Sequence, residues 1–137
     1  MTEVVAALIR KGDCFLICQR PTDRSRGSLW EFAGGRMEPG ETPAKALARE
    51  CREKIGSRVR VGRQLGDVYY DYPDIAVHVS LFDAELVHGT PRAKCVGGVK
   101  WISMEEVEDY QFCPADAQLI AEVLAKDAQT PEQTLRD

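Results

Sequence analysis

The chain has 137 residues, 44% of them hydrophobic and 29% charged, and sets 18 Lys+Arg against 22 Asp+Glu for a formal net charge of −4. This length suits one domain with a proper core, and the mild acidity gives no basic footprint for polymeric DNA or RNA. No apolar run approaches the roughly 20 residues of a membrane span. The opening MTEVVAALIRKGD lacks the basic start and full apolar region of a signal peptide. The five cysteines, Cys14, Cys18, Cys51, Cys95 and Cys113, are odd in number and contain no C-x-x-C. All but Cys95 sit in apolar patterns, which points to reduced thiols and a cytoplasmic setting.

In chain order, VVAALI (4–9) and CFLICQ (14–19) are short apolar runs separated by Lys11-Gly12-Asp13, a hairpin of buried strands. A polar loop, PTDRSRGS, follows, and LWEFAGG is a short strand running into a glycine turn. Thr42 as N-cap and Pro43 at the first position open a helix that Gly56 stops. Ala44, Leu47, Ala48, Cys51 and Ile55 recur at helical spacing as its expected buried face. RVRVGRQLGDVYYDY predicts one or two strands. The strict alternation of Ile75, Val77, Val79 and Leu81 predicts a strand with one buried face, on which His78 reads as structural. VHGTPRAKCVGG (87–98) is a loop and VKWIS a last strand. Ser103 and Glu106 form a capping box for a short helix. Pro114 opens a final helix packed through Leu119, Ile120, Val123 and Leu124. Mixed strands with helices before and after them suggest a sheet covered on both faces.

The helix from Thr42 carries the first chemical signal. Glu50 and Glu53 stand one turn apart on its polar half, close enough to hold one hard cation. The same helix read alone is equally a solvated face, with Arg49–Glu53 and Glu50–Lys54 as i,i+4 ion pairs. The preceding Gly34-Gly35 turn allows close approach of the backbone to a ligand. For Asp116 two readings stand together: a hydrogen-bond acceptor lining a pocket, or an acid serving the N-terminus of the last helix.

The stretch GGRMEPGETPAKALARECREKIG resembles the Nudix box, G-x5-E-x7-R-E-U-x-E-E-x-G-U with U aliphatic. Gly35, Glu41, Arg49, Glu50, Glu53 and Gly56 fall on its positions, with Cys51 at the first aliphatic site. EVVAALI, CQRP, LWEFAGGRMEPGE, YPD, the tryptophan of VKWIS and CPAD extend the likeness to the MutT-like branch, especially its CTP-pyrophosphohydrolase-like members. The resemblance implies a Nudix α/β/α sandwich with a mixed sheet between helices over residues 1–127, followed by a polar tail over 128–137. It also implies Mg2+-dependent (or Mn2+-dependent) hydrolysis of a nucleoside or deoxynucleoside triphosphate to monophosphate and pyrophosphate, with clearance of modified nucleotides as one use. Carried over residue by residue, the metal falls to Glu50, Glu53 and the carbonyl of Gly35, with Arg49 orienting the carboxylates. Arg20 and Arg36 are placed to meet phosphate, with a solvated surface cation as the other reading of each, and Phe32 and Asp116 to line a base pocket. Dimers are common in this family.

Three positions depart from the pattern. Lys54 replaces the second glutamate of the E-E pair, Ser57 replaces an aliphatic residue, and Cys95 stands where relatives place a further glutamate. Exchanging Glu for Lys moves the local charge by two units, each worth on the order of 3 kcal/mol at about 5 Å and an effective dielectric near 20. A thiol suits Mg2+ poorly. The sequence therefore leaves two functions open: a working pyrophosphohydrolase, or a nucleotide-binding domain of the same fold with little or no hydrolysis.

Overall fold

A computed structural model describes residues 1–126. The polar tail expected over 128–137 lies outside the described residues. Seven strands, β1 (Thr2–Lys11), β2 (Cys14–Gln19), β3 (Trp30–Glu31), β4 (Ala33–Arg36), β5 (Arg58–Asp71), β6 (Ala76–His88) and β7 (Gly98–Ser103), form one mixed sheet. Its path runs β3-β2-β1-β6-β5, with β4 on β1 and β7 on β2.

β1 organises the sheet. One edge pairs in parallel with β6 from Thr2↔Val77 to Ile9↔Ala84. The other edge is divided. Val4 to Ala7 pair antiparallel with β4, and Arg10 and Lys11 pair with β2. The split brings the glycine turn of β4 beside the centre of the sheet.

Both faces of β1 and β2 are covered, which is why their sequences are continuously apolar rather than alternating. Val5, Ala7, Ile9, Leu16 and Cys18 pack with Leu47, Cys51 and Ile55 of helix α1 (Pro43–Ile55). Ala6, Leu8, Phe15 and Ile17 pack on the opposite face with Leu119, Ile120 and Leu124. These last residues belong to α2 (Pro114–Leu119) and the π-helical turn Ile120–Leu124 that continues it. The result is the expected sandwich of helix, sheet and helix.

The predicted caps form. Thr42 Oγ1 accepts from the Lys45 amide at 3.2 Å, and Gly56 ends α1 in the left-handed region at φ 64°. Glu106 Oε1 accepts from the Ser103 amide at 3.0 Å and opens a 3-10 helix, Met104–Asp109. RVRVGRQLGDVYYD is a single strand with register shifts between Val61 and Gly66. The buried face of α1 differs from expectation. Ala44 is exposed and Ala48 half-buried, whereas Ala46 is buried. Ala44 has the right phase but lies in the first turn, where the sheet no longer covers the helix.

All five cysteines are free thiols; Cys18, Cys51 and Cys113 are buried and Cys95 is exposed. Burial pushes the Cys51 thiol up to about 12 and moves Cys18 and Cys113 the same way. Among the described residues no helix is long and apolar enough to cross a membrane.

His78 clasps the sheet surface. Its Nε2 lies 2.6 Å from Asp67 on β5, and its Nδ1 lies 2.7 Å from Glu3 on β1. The ring stacks on Tyr69 with centroids 4.2 Å apart. The hydrogen bond to Asp67, followed by that to Glu3, raises the imidazole pKa in the folded chain. Its stabilising effect is therefore present in full below the unfolded pKa and is lost as pH rises through the folded value. We expect the melting temperature to fall above roughly pH 6.5 by the equivalent of up to about 1 kcal/mol. His78→Gln should flatten that slope in a pH series of thermal melts. An unchanged slope would remove His78 as its source.

Candidate active site

A cavity of about 470 Å³ opens between the loop after β2, strands β1, β4 and β6, the C-terminal half of α1 and the start of α2. Five cationic side chains line it, Arg20, Arg24, Arg26, Arg36 and Lys54, against three acids, Glu31, Glu50 and Asp116. Phe32, Tyr72, Ile75, Val77 and Val79 supply apolar wall.

The glycine turn makes the wall on the α1 side. Gly34 has φ 154°, and a Cβ there would meet the Val5 backbone of β1. A Cβ on Gly35 would overlap the Glu50 carboxylate. The missing side chain thus makes room for Glu50, which is only 7% exposed. This corrects the placement of Glu50 on the polar half of the helix. It sits at the rim of the inward face, and Gly35 turns that rim into a carboxylate site. Glu53, one turn on, has a side chain 55% exposed.

Arg49 holds the carboxylates together. Its Nε and Nη2 donate to the two oxygens of Glu41 at 2.8 and 2.9 Å. Nη1 donates to Glu50 at 2.9 Å and lies 3.4 Å from Glu53, and Nη2 also donates to the Arg36 carbonyl at 3.0 Å. These bonds hold the Glu41 carboxyl down at about 2 and raise the guanidinium further. The Arg36 side chain is exposed at the cavity mouth.

The three departures from the box pattern have distinct placements. Lys54 Nζ donates to the Gly34 carbonyl at 2.7 Å and lies 3.2 Å from Glu50 Oε2. The carbonyl turned toward this cation is that of Gly34, not of Gly35. Cys95 belongs to the loop that closes the end of α1. Its amide and that of Lys94 donate to the Lys54 carbonyl at 3.0 and 3.1 Å. Ser57 is fully buried and donates its hydroxyl to the Ile55 carbonyl at 3.3 Å, so a polar group is satisfied at an aliphatic position.

At the α2 side, Asp116 is 8% exposed, and its Oδ2 accepts from the Phe32 amide at 3.0 Å. Glu31 is close by, bonded to Arg20 at 3.3 Å. One ligand atom each from Glu31, Cys113 and Asp116 lie within 4.8 Å of one another. Burial, then the Glu31 charge, pushes the Asp116 carboxyl up to about 8, and burial also raises Glu31. The two neighbouring carboxyls therefore hold a proton more readily than isolated acids, and a protonated carboxyl donates as well as accepts. Arg20 is not a free surface cation: besides Glu31, it donates Nε to the Ser25 carbonyl at 2.8 Å and braces its loop.

A match to the NUDIX domain family spans residues 4–122. The chain belongs to the Nudix family. Its fold is that of Nudix hydrolases, and it is an enzyme of the pyrophosphohydrolase type. The CTP pyrophosphohydrolase of Escherichia coli (strain K12) is 36% identical over 131 residues, covering 96% of this chain and 97% of that protein. The 8-oxo-dGTP diphosphatase of Haemophilus influenzae is 30% identical over 125 residues, covering 89% of this chain and 90% of that protein. The solution structure of the E. coli ORF135 protein superposes with a TM-score of 0.81 at 35% identity, covering 96% of this chain and 94% of the other.

Several residues lining the Nudix cavity escaped sequence reasoning: Glu31, Arg24, Arg26, Tyr72 and Cys113. Glu31 left a signal, a carboxylate between Trp30 and Phe32 in an apolar strand. Arg26 left none. It adopts φ 57°, stacks its guanidinium 3.9 Å from the Tyr72 ring and pairs with Asp74 at 2.7 Å. That arrangement depends on two loops meeting in space.

Proposed function

We propose that this Nudix hydrolase cleaves a nucleoside or deoxynucleoside triphosphate, adding water across the α–β phosphoanhydride to release monophosphate and pyrophosphate. The observation that carries the reading is the cavity itself: five cationic side chains share it with an aromatic and aliphatic wall that ends at Glu31 and Asp116. Cations suit a polyanionic chain, and a flat apolar slot with two carboxyl groups suits a base.

Glu53, largely solvent-facing, would hold one hard cation, Mg2+ or Mn2+, whereas Glu50 beside it could join only by giving up its pairing with Lys54 or Arg49. Such an ion supplies charge neutralisation and a more acidic bound water. This chain's own residues do the rest. Arg49 bonds Glu50 and reaches Glu53, which aligns both carboxylates, Arg36 meets phosphate at the mouth, and Phe32 and Tyr72 flank the base. The free thiols fit a reducing, cytoplasmic setting. The second reading, nucleotide binding with little turnover, is favoured by one observation, the Lys54 ammonium beside Glu50. Pyrophosphate release from a panel of canonical and oxidised triphosphates with Mg2+ or Mn2+ tests the first reading. Thermal shifts on the same panel detect binding without turnover.

Base selection should depend on Asp116. Burial and the Glu31 charge raise its carboxyl, which donates a hydrogen bond when protonated and only accepts when ionised. The ranking of nucleotides should therefore change with pH at values above the ordinary carboxylate range. Asp116→Asn should remove the dependence, and Asp116→Ala should alter the ranking more than the melting temperature. An unchanged ranking with a large fall in melting temperature would assign Asp116 to tying α2 to the Phe32 backbone instead.

A further inference from the structure

Lys54 does not behave as a solvated replacement on a helix surface. The last turn of α1 fixes its backbone, because its carbonyl accepts the amides of Lys94 and Cys95. Its side chain is only 30% exposed, and it lines the cavity next to Gly34, Gly35 and Glu50. The ammonium meets one backbone carbonyl, Gly34 at 2.7 Å, and one carboxylate oxygen, Glu50 Oε2 at 3.2 Å. A carbonyl and a carboxylate converging on one point are the donors a hard divalent cation takes, but at about 2.0–2.6 Å rather than at hydrogen-bond length. The other oxygen of Glu50 is already bonded to Arg49 at 2.9 Å. A divalent ion entering this corner would have to displace the ammonium and would then face two cationic side chains at close range.

We propose that the Lys54 ammonium is a built-in cation of this site, standing in the corner between the Gly34 carbonyl and Glu50 in place of one divalent ion, and that it binds substrate phosphate directly. This rests on reading the cavity as a triphosphate site. An ammonium has three N–H donors. One is spent on the Gly34 carbonyl, and the Glu50 contact is an ion pair at 3.2 Å, which leaves donor capacity for a phosphate oxygen in the cavity that Lys54 lines. The arrangement is preorganised: the lysine stem is held by the helix, and the charge is present without any metal in solution. It lowers the number of divalent ions the site takes up with substrate, and it makes part of the phosphate affinity independent of metal. Glu53 lies outside the corner and stays open to a divalent ion.

The test is binding without turnover, using inorganic tripolyphosphate and α,β-imido deoxynucleoside triphosphates of the four bases as probes. Isothermal titration is run on the intact chain, once with Mg2+ and once with EDTA. The expected result is that at least one probe binds in EDTA within about tenfold of its Mg2+ affinity. Lys54→Met, and separately Lys54→Gln, should weaken the EDTA affinity by roughly 10- to 100-fold, the size of one charge-assisted hydrogen bond to phosphate. Lys54→Glu should make binding depend on metal and, by Mn2+ electron paramagnetic resonance with the imido analogue, take up one more Mn2+ than the parent. Binding in Mg2+ but none in EDTA by the parent overturns the Lys54 assignment and leaves the triphosphate site standing. This arm needs no variant to fold. EDTA binding unaltered in both neutral variants also overturns it, by transferring the phosphate contact to the arginines. No binding under either condition overturns both the assignment and the triphosphate reading.

Discussion

Arg49→Lys is expected to lower the stability of the chain, although it preserves charge. The guanidinium spends Nε and Nη2 on Glu41 as a bidentate pair and Nη1 on Glu50, with Glu53 and the Arg36 carbonyl also in reach. An ammonium has no planar fork and cannot reach Glu41 and Glu50 together. One of these carboxylates would be left against Gly35 or the turn without its partner. Chemical denaturation of parent and variant checks the loss, and a difference under about 0.5 kcal/mol would mean that the network is ornamental. The pH dependence supplies a second check. Arg49 lowers the Glu41 pKa from 4.5 to about 2, so that part of the parent's stability is present above pH 4.5 and lost as pH falls toward 2. The lysine variant should lose less across that window, because it has less of this contribution to begin with.

Glu53→Gln should give the largest functional effect, a loss of about 100-fold or more in metal-dependent turnover with almost no change in melting temperature. Of the two box carboxylates one turn apart, Glu50 is held on both oxygens by Arg49 and Lys54. Glu53 has a single 3.4 Å contact with Arg49 and faces solvent. It is therefore the acid best able to take a cation without breaking an existing pair. The amide keeps the shape and removes the charge. Pyrophosphate release in Mg2+ and in Mn2+ reports the outcome. Full turnover in the variant would place the metal elsewhere, with the Glu31, Cys113 and Asp116 group as the next location to examine.

The contrast between Glu50 and Lys54 marks how far the helix could be read in advance. Phase was legible. At 100° per residue, Lys54 lies seven residues beyond Leu47 and hence within about 20° of the same inward line, so the angle alone already directed its stem toward the sheet. Charge obscured this, since lysine is rarely placed inward. Glu50, treated as polar and outward, is buried because a glycine on another strand leaves a recess for its carboxylate. Periodicity carries no information about what stands opposite.

The sequence by itself determined the caps of α1, the doubly buried strands β1 and β2, the box spacing and hence the family and sandwich fold. All of these are set by local conformational preference, by apolar period or by a spaced motif contained within one segment. Only the tertiary structure decided that Glu31 and Asp116 share one cavity, that Arg26 stacks on Tyr72, and that Lys54 reaches Gly34. The Asp116–Phe32 bond joins residues 84 positions apart, and the Lys54–Gly34 bond spans 20. Local propensity and period act within a few turns of chain. The charge states and partners of the site are set instead by burial and by neighbours that only chain packing supplies.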